Sequence, residues 1–300
     1  MSKITVLSAF AVCTLAGVAT AAVTSANGLN FNSYESFRNP AAVIASVATL
    51  DGVAAAVAFN GSSAATLGDH TFREQYPALT QGFANRHMLW LSTDGGATPY
   101  QFAANEGSFR LEACFRTRTN HPTGIGAPVN SETGIWIHNP RVNEQNVPFI
   151  DEGGIWAITN GTSFIGGASQ DFFLFGEGGF NNPGSPPISI AGDLIFQSYT
   201  YYAADYFAPG SRASFEATVT NVTTGFSRSS GLLNFNAIPG SGENGLNAGA
   251  TIGFRFQNQV FQPIDTDTTV ELSHVRLIPA PGAAALLGLG GLIAGRRRRA

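Results

Sequence analysis

Short runs of alternating apolar and polar residues, separated by turn-forming clusters, limit most strongly what this chain can fold into. In the clearest run, 108–116, the apolar residues Phe109, Leu111, Ala113 and Phe115 occupy every second position. Alternate side chains of a strand lie on the same face of its sheet, so this run predicts a strand with one buried face. Comparable runs lie at 53–59, 88–91, 135–138, 155–159, 172–175, 194–199, 215–219, 252–256 and 270–277.

The segments between these runs are typical of turns. Clusters of Gly, Asn, Asp, Ser and Pro lie at 94–96, 176–187 and 239–249, and such clusters commonly separate strands. Outside the two ends of the chain, no stretch of ten or more residues has the apolar spacing of a helix. The alanine-rich stretch 41–58 is ambiguous, because alanine favours a helix whereas its Val and Ile residues suit strands.

The pattern as a whole predicts one all-β domain over residues 28–278. About ten short strands in roughly 250 residues, without a fixed-period repeat, favour a two-sheet β-sandwich or jelly roll over a propeller or a solenoid. The pattern is similar to concanavalin-like and carbohydrate-binding-module sandwiches, and we expect that fold.

The first 21 residues have the three parts of a secretory signal peptide. Lys3 supplies the positive charge, 4–18 the apolar core, and Ala19 and Ala21 the small residues before the cleavage site. The sequence therefore predicts that the domain is exported.

The last 22 residues contain a proline motif, an apolar stretch and an arginine cluster. The apolar stretch 282–295 would form a short C-terminal helix about 21 Å long, which is shorter than the ~30 Å hydrocarbon core of a bilayer. The flanking arginines would keep its end in the cytoplasm, so we expect a temporary membrane stop. The motif and the cluster consist of Pro279, Ala280, Pro281, Arg296, Arg297, Arg298 and Arg299.

This three-part ending resembles the PEP-CTERM sorting signal, which exosortases recognise. The resemblance covers residues 279–300 only, and Ala280 stands where the family most often has glutamate. It implies export by the Sec machinery, transient retention in the inner membrane, and cleavage near the proline motif. Release to the cell surface or extracellular matrix would follow. An ordinary C-terminal membrane anchor is the alternative.

The charge of the predicted domain excludes some partners. Between the two end segments the chain has 11 arginines, no lysine and 20 acidic residues, a net charge of −9. Nucleic acids and anionic membrane surfaces require basic patches, so we expect neither as a partner; the membrane contact that we expect is the C-terminal helix. Removal of the signal peptide leaves Cys114 as the single cysteine, so no intramolecular disulfide is expected.

Aromatic residues are the candidates for a recognition surface, because sugar rings stack on flat aromatic side chains. Trp136 and Trp156 each lie between two aliphatic residues of a predicted strand. If those aliphatics are core, both tryptophans point outward and form a platform; the reverse arrangement buries them. Tyr199 and Tyr201, in the cluster 199–202, are further candidate ligand-binding residues.

Signals for catalysis and for metal binding are weaker. Glu132 and Glu152 each precede one of the tryptophan strands, and glycoside hydrolysis requires two such carboxylates across a cleft. Sequence motifs for zinc, for a serine nucleophile elbow and for dinucleotides are absent. Asp265 and Asp267 could contribute oxygen ligands to Ca²⁺, although no cofactor is required.

Together these patterns predict a non-enzymatic exported protein of the cell surface or extracellular matrix, with a β-sandwich for adhesion or polysaccharide binding. An extracellular glycoside hydrolase of the jelly-roll type is the alternative.

Overall fold

The computed structural model of this chain is built from β-strands in all the parts that it describes. The described residues are 26–34, 47–54, 62–76, 83–103, 106–121, 129–138, 154–159, 164–168, 171–175, 191–234, 245–246, 248–260, 262 and 264–279. Both end segments therefore lie outside them, apart from Pro279. Within these ranges, no helix has the length and apolarity needed to span a bilayer.

The strands form two antiparallel sheets, which we call sheet A and sheet B. Sheet A has the order β11-β10-β9-β8-β16-β6-β1-β4, and sheet B has the order β14-β13-β12-β7-β17-β5-β2-β3, with β15 also paired to β13. The strands of sheet A are β1 (Gly28–Tyr34), β4 (Ser62–Thr66), β6 (Phe83–Ser92), β8 (Val129–His138), β9 (Gly154–Thr159), β10 (Phe164–Ala168), β11 (Asp171–Phe175) and β16 (Thr251–Val260). Those of sheet B are β2 (Val47–Leu50), β3 (Val53–Ala54), β5 (His70–Tyr76), β7 (Phe109–Thr119), β12 (Leu194–Tyr202), β13 (Ser214–Asn221), β14 (Phe226–Ser229), β15 (Leu233–Asn234) and β17 (Thr266–Pro279).

One hydrophobic core lies between the two sheets. The apolar residues of β7 point into it on alternate positions, as the sequence pattern predicts. Aromatic pairs join the sheets: the rings of Phe115 and Phe254 are 5.7 Å apart, and those of Phe72 and Phe256 are 5.2 Å apart. The all-β, two-sheet sandwich prediction is thus confirmed.

The predicted strands agree with the observed ones wherever the structure describes them. The run at 53–59 is covered only by β3, and residues 55–61 lie outside the described ranges. In the ambiguous alanine-rich stretch, the described residues form β2 and the short β3, so its β-branched residues were the better guide. Strands β1, β4, β5, β10, β14 and β15 were not among the predicted runs. Ser, Ala and Gly residues give β4 and β10 little apolar alternation, whereas β1 does alternate, with Leu29 and Phe31 on either side of Asn30.

A polar network crosses the core and was not predicted. Glu74 of sheet B and His87 of sheet A are both fully buried, and their side chains are 2.7 Å apart. The Asn258 amide donates to the second Glu74 oxygen at 2.9 Å, and the Ser131 hydroxyl donates to Asn258. Because its members come from both sheets, this network joins the two sheets across the core by hydrogen bonds.

Candidate functional site

All three tryptophans of the chain fall on one line across sheet A. Trp90 of β6 pairs with Gly253 of β16, Gly253 with Trp136 of β8, and Trp136 with Trp156 of β9. We call these four residues the tryptophan row. An added Cβ at Gly253 would collide with the Leu89 carbonyl oxygen, so only glycine fits between the two indoles.

The two described indoles of the row, Trp90 and Trp136, lie on the outer face of sheet A, away from the main core. Ile135 and Ile137 belong to the main core, whereas Trp136 between them packs in a second cluster with Met88 and Trp90. The platform hypothesis requires this direction for Trp136. It also requires exposure, yet Trp136 is 1% and Trp90 2% exposed. The described part of the row is therefore a shielded aromatic surface rather than an open one.

Polar side chains accompany the row on the same face. The Arg255 guanidinium lies 4.6 Å from the centre of the Trp136 ring and donates a hydrogen bond to the Gln257 side chain. Both polar residues are buried. At the other flank, the Asn30 side-chain amide donates to the carbonyl oxygen of Gly96 at 2.9 Å. The face thus combines flat rings with guanidinium and amide groups, which is the chemistry that binds sugar rings and their hydroxyls.

The prediction that Tyr199 and Tyr201 bind a ligand is wrong. Both are fully buried in the main core, because alternation along β12 turns these two positions inward. The Tyr199 ring stacks on Phe215 at 5.3 Å, and the Tyr201 hydroxyl accepts a hydrogen bond from the Leu246 amide. Burial raises the pKa of Tyr201 to about 12.

An exposed aromatic cluster follows at the end of the same strand. The rings of Tyr202, Tyr206 and Phe207 lie 4.9–5.0 Å apart, and we call them the aromatic triad. Phe207 is 55% exposed. The triad was not predicted, although Tyr206 and Phe207 form an aromatic pair within the turn-forming stretch 203–211, and such a pair could have indicated an aromatic surface.

The outer face of sheet B carries charged pairs. Arg116 and Arg118 both reach Glu271, at 3.4 and 3.3 Å, and all three side chains are partly exposed. Cys114 lies half-buried on this face, and burial raises the pKa of its thiol. A neutral thiol is a poor nucleophile, so the structure gives no support to catalysis by this cysteine.

The predicted calcium ligands are engaged otherwise. The two carboxylate oxygens of Asp267 accept hydrogen bonds from Arg73, at 2.8 and 2.5 Å, and one of them also accepts from Gln75. The hydrogen bonds from Arg73 lower the pKa of Asp267. A calcium ion would compete with the guanidinium for these oxygens, so the structure gives no support to calcium binding by Asp267, which stays a prediction. The exposed Asp265 belongs to no group of three or more metal-binding side chains among the described residues.

The carboxylates of the hydrolase alternative are placed only in part. Glu132 lies on β8, the strand that also carries Trp136, and pairs with Gln257 of β16. Only the backbone of Glu132 is described. Glu152 and Asp151 lie outside the described residues. The side chains described on the outer face of sheet A include no carboxylate.

Comparisons with known proteins give no family for this chain. No protein-family model and no curated protein matches it. Among solved structures, it is similar to the winged bean acidic lectin (9% identity, TM-score 0.39, covering 84% of this chain and 100% of the lectin). It is also similar to an alginate lyase from Corynebacterium sp. (9%, 0.39, 82% and 98%) and to peanut lectin (14%, 0.33, 82% and 97%). These identities and TM-scores are too low to assign a function.

Proposed function

We propose that this chain is an exported protein of the cell surface or extracellular matrix, whose β-sandwich binds polysaccharide without catalysis. The signal peptide and the sorting-like ending support export, and the ending supports temporary retention in the membrane followed by release.

The tryptophan row is the observation that supports polysaccharide binding. A β-sandwich needs only one apolar face of each sheet for its core. Trp90 and Trp136 on the outer face of sheet A are not part of that core, and we assign them to ligand binding. Trp136 with Arg255 and Gln257 offers stacking and hydrogen bonding side by side. Because the described indoles are shielded, a sugar reaches them only by exchanging with the groups that shield them. Binding should therefore change tryptophan fluorescence.

A fluorescence titration of the domain 28–278 with soluble polysaccharides tests this proposal. All three tryptophans belong to the row, so excitation that is selective for tryptophan reports on these three paired positions alone. We expect a saturable change that weakens in Trp156→Ala and in Trp136→Phe, and that persists in Phe196→Ala on the outer face of sheet B. Saturable retention on polysaccharide with unchanged fluorescence would place binding elsewhere. The absence of binding to any polysaccharide would reject the proposal.

A glycoside hydrolase is the second candidate function, favoured by the position of Glu132 four residues before Trp136 on β8. Release of reducing ends in the same incubations, lost in Glu132→Gln, would support it. Unchanged release in Glu132→Gln would exclude a catalytic role for this residue.

The sorting proposal is tested by following the protein in its producing cell. We expect a form shortened at the proline motif in the extracellular fraction. A chain that keeps residues 282–299 and stays in the inner membrane would instead identify an ordinary anchor.

A further inference from the structure

Sheet B ends in one row of paired residues, at the place where the chain leaves the sandwich. Pro279 pairs with Phe109, Phe109 with Tyr201, Tyr201 with Phe215, and Phe215 with Leu233. We call this the exit end. Neighbouring strands lie about 4.8 Å apart, so Tyr201 is about 10 Å from Pro279 across two strand spacings.

The aromatic triad lies at the exit end, because the loop that carries two of its members follows directly after Tyr202. Hydrogen bonds close this loop: the Asp205 amide donates to the Ser211 carbonyl at 2.9 Å, and the Gly210 amide donates to the Asp205 carboxylate at 2.6 Å. Burial of a phenylalanine side chain is favourable, yet the loop presents Phe207 to the exterior.

Other exposed apolar residues gather at the same end. Of the six large apolar side chains that are exposed among the described residues, Leu67, Phe207, Leu232 and Ile278 lie here. Leu67 and Ile278 line a groove of about 340 Å³ together with Ala26, where the described chain begins. Val222, which is also exposed, lies at the opposite end of β12, where its amide donates to the Leu194 carbonyl.

The sequence after Pro279 places this end close to the predicted membrane segment. The apolar stretch begins at Gly282, so Ala280 and Pro281 are the only residues between it and the last residue of β17. Three residue steps span at most about 11 Å. When the stretch is inserted in a bilayer, the exit end therefore lies at the headgroup region, where aromatic side chains are favoured.

We propose that the aromatic triad and Ile278 contact the lipid headgroup region while the C-terminal segment is inserted. This inference rests on the proposed sorting function. The contact orients the sandwich and holds the proline motif at the membrane surface, where cleavage would occur. It depends on apolar and aromatic side chains, so the net charge of −9 does not oppose it on neutral lipid. Stable anchoring requires more than one such signal, so removal of the tail releases the domain.

A site-specific fluorescent label tests the contact. The tail-bearing protein, residues 22–300 in a Cys114→Ser background, is reconstituted in phosphatidylcholine vesicles with an environment-sensitive label at Phe207→Cys. Val222→Cys is the matched control, since Val222 is 51% exposed but lies at the opposite end. Leu289→Cys reports on the tail, and Ile278→Cys repeats the comparison without altering the triad. We expect nitroxide lipids, labelled at the headgroup, to quench labels at 207 and 278 several-fold more than the label at 222.

The outcomes separate this inference from the sorting proposal. If the label at 289 reports hydrocarbon while those at 207 and 278 match the label at 222, the contact is rejected and tail insertion stands. If the label at 289 reports water, the tail does not insert and both proposals fall. If the label at 207 responds to soluble polysaccharide and not to vesicles, the triad is a glycan contact and the membrane proposal is wrong.

Discussion

The outer faces of the two sheets are built for different surroundings. On sheet B, arginines and carboxylates pair in partial contact with solvent, as in the group formed by Arg116, Arg118 and Glu271. On sheet A, Met88, Trp90 and Trp136 form a buried cluster with Arg255 over one ring. An antiparallel sheet commonly packs one face on the core and exposes the other to water. Sheet B follows this rule and sheet A departs from it, which is why we place ligand binding on sheet A.

The largest change in the free energy of unfolding is expected when an aromatic side chain is removed from each outer face in turn. We expect Trp136→Ala to lower the free energy of unfolding by about 3–5 kcal/mol, because it empties a buried site. Phe196→Ala, at a half-buried position on the outer face of sheet B, should cost about 1–2 kcal/mol. Chemical denaturation measures both. Equal losses would mean that the two faces are equally buried in solution.

A double-mutant cycle compares the charged contacts of the two faces. A desolvated guanidinium over an indole is worth about 2 kcal/mol, so we expect a coupling of that size between Arg255→Ala and Trp136→Leu, which removes the ring. The exposed pair Arg116→Ala and Glu271→Ala should couple by at most about 1 kcal/mol. High salt should reduce only the second coupling. A salt-sensitive first coupling would show that Arg255 is hydrated.

The ion pair of Asp267 makes a smaller, pH-dependent contribution on sheet B. Hydrogen bonds from Arg73 lower the pKa of Asp267 below its unfolded value. Its contribution is therefore present above about pH 4 and is lost as the pH falls through the folded-state value. We expect Asp267→Asn to cost about 0.2–1 kcal/mol at pH 7, and less in strong acid. A cost that does not depend on pH would point to packing instead.

A pH titration of the tyrosines distinguishes the inward from the outward positions of β12 by their ionisation rather than by the free energy of unfolding. Burial raises the pKa of Tyr201 to about 12 and that of Tyr199 well above its ordinary value. The pKa of Tyr202 rises as well, first through burial and then through Glu216. In ultraviolet difference spectra, Tyr199→Phe and Tyr201→Phe should match the parent below pH 11, and any signal lost in Tyr202→Phe should be lost at a lower pH than in those two variants. Loss of signal in all three variants would contradict the inward orientation of 199 and 201.

The fold was predictable because alternation is a local property of the chain. The run at 108–116 became β7 with its apolar side inward, and the later runs became strands where the structure describes them. Strands β4 and β10 escaped prediction because they lack this alternation, whereas β1 has it and was overlooked. Glu74 and His87 escaped for a different reason, since they are 13 positions apart in sequence and on different sheets.

The candidate site was predictable only in part. Residue types identified Trp136 and Trp156, but Trp90 joined them through strand pairing with Gly253, which is 163 positions away in the chain. The Tyr199 and Tyr201 prediction failed because the cluster 199–202 contains two inward positions and two that are less buried. The ion pair of Asp267 was not predicted, because its arginine partner lies on another strand.

By itself, the sequence determined the fold class and the strand-forming runs, and its two ends predict export and sorting. These depend on composition, spacing and local periodicity. The tertiary structure decided which residues share a face: it aligned the three tryptophans, buried Tyr199 and Tyr201, and brought the aromatic triad to the end where Pro279 leaves the sandwich. Strand order and register join positions far apart in the chain, and no local pattern contains that information.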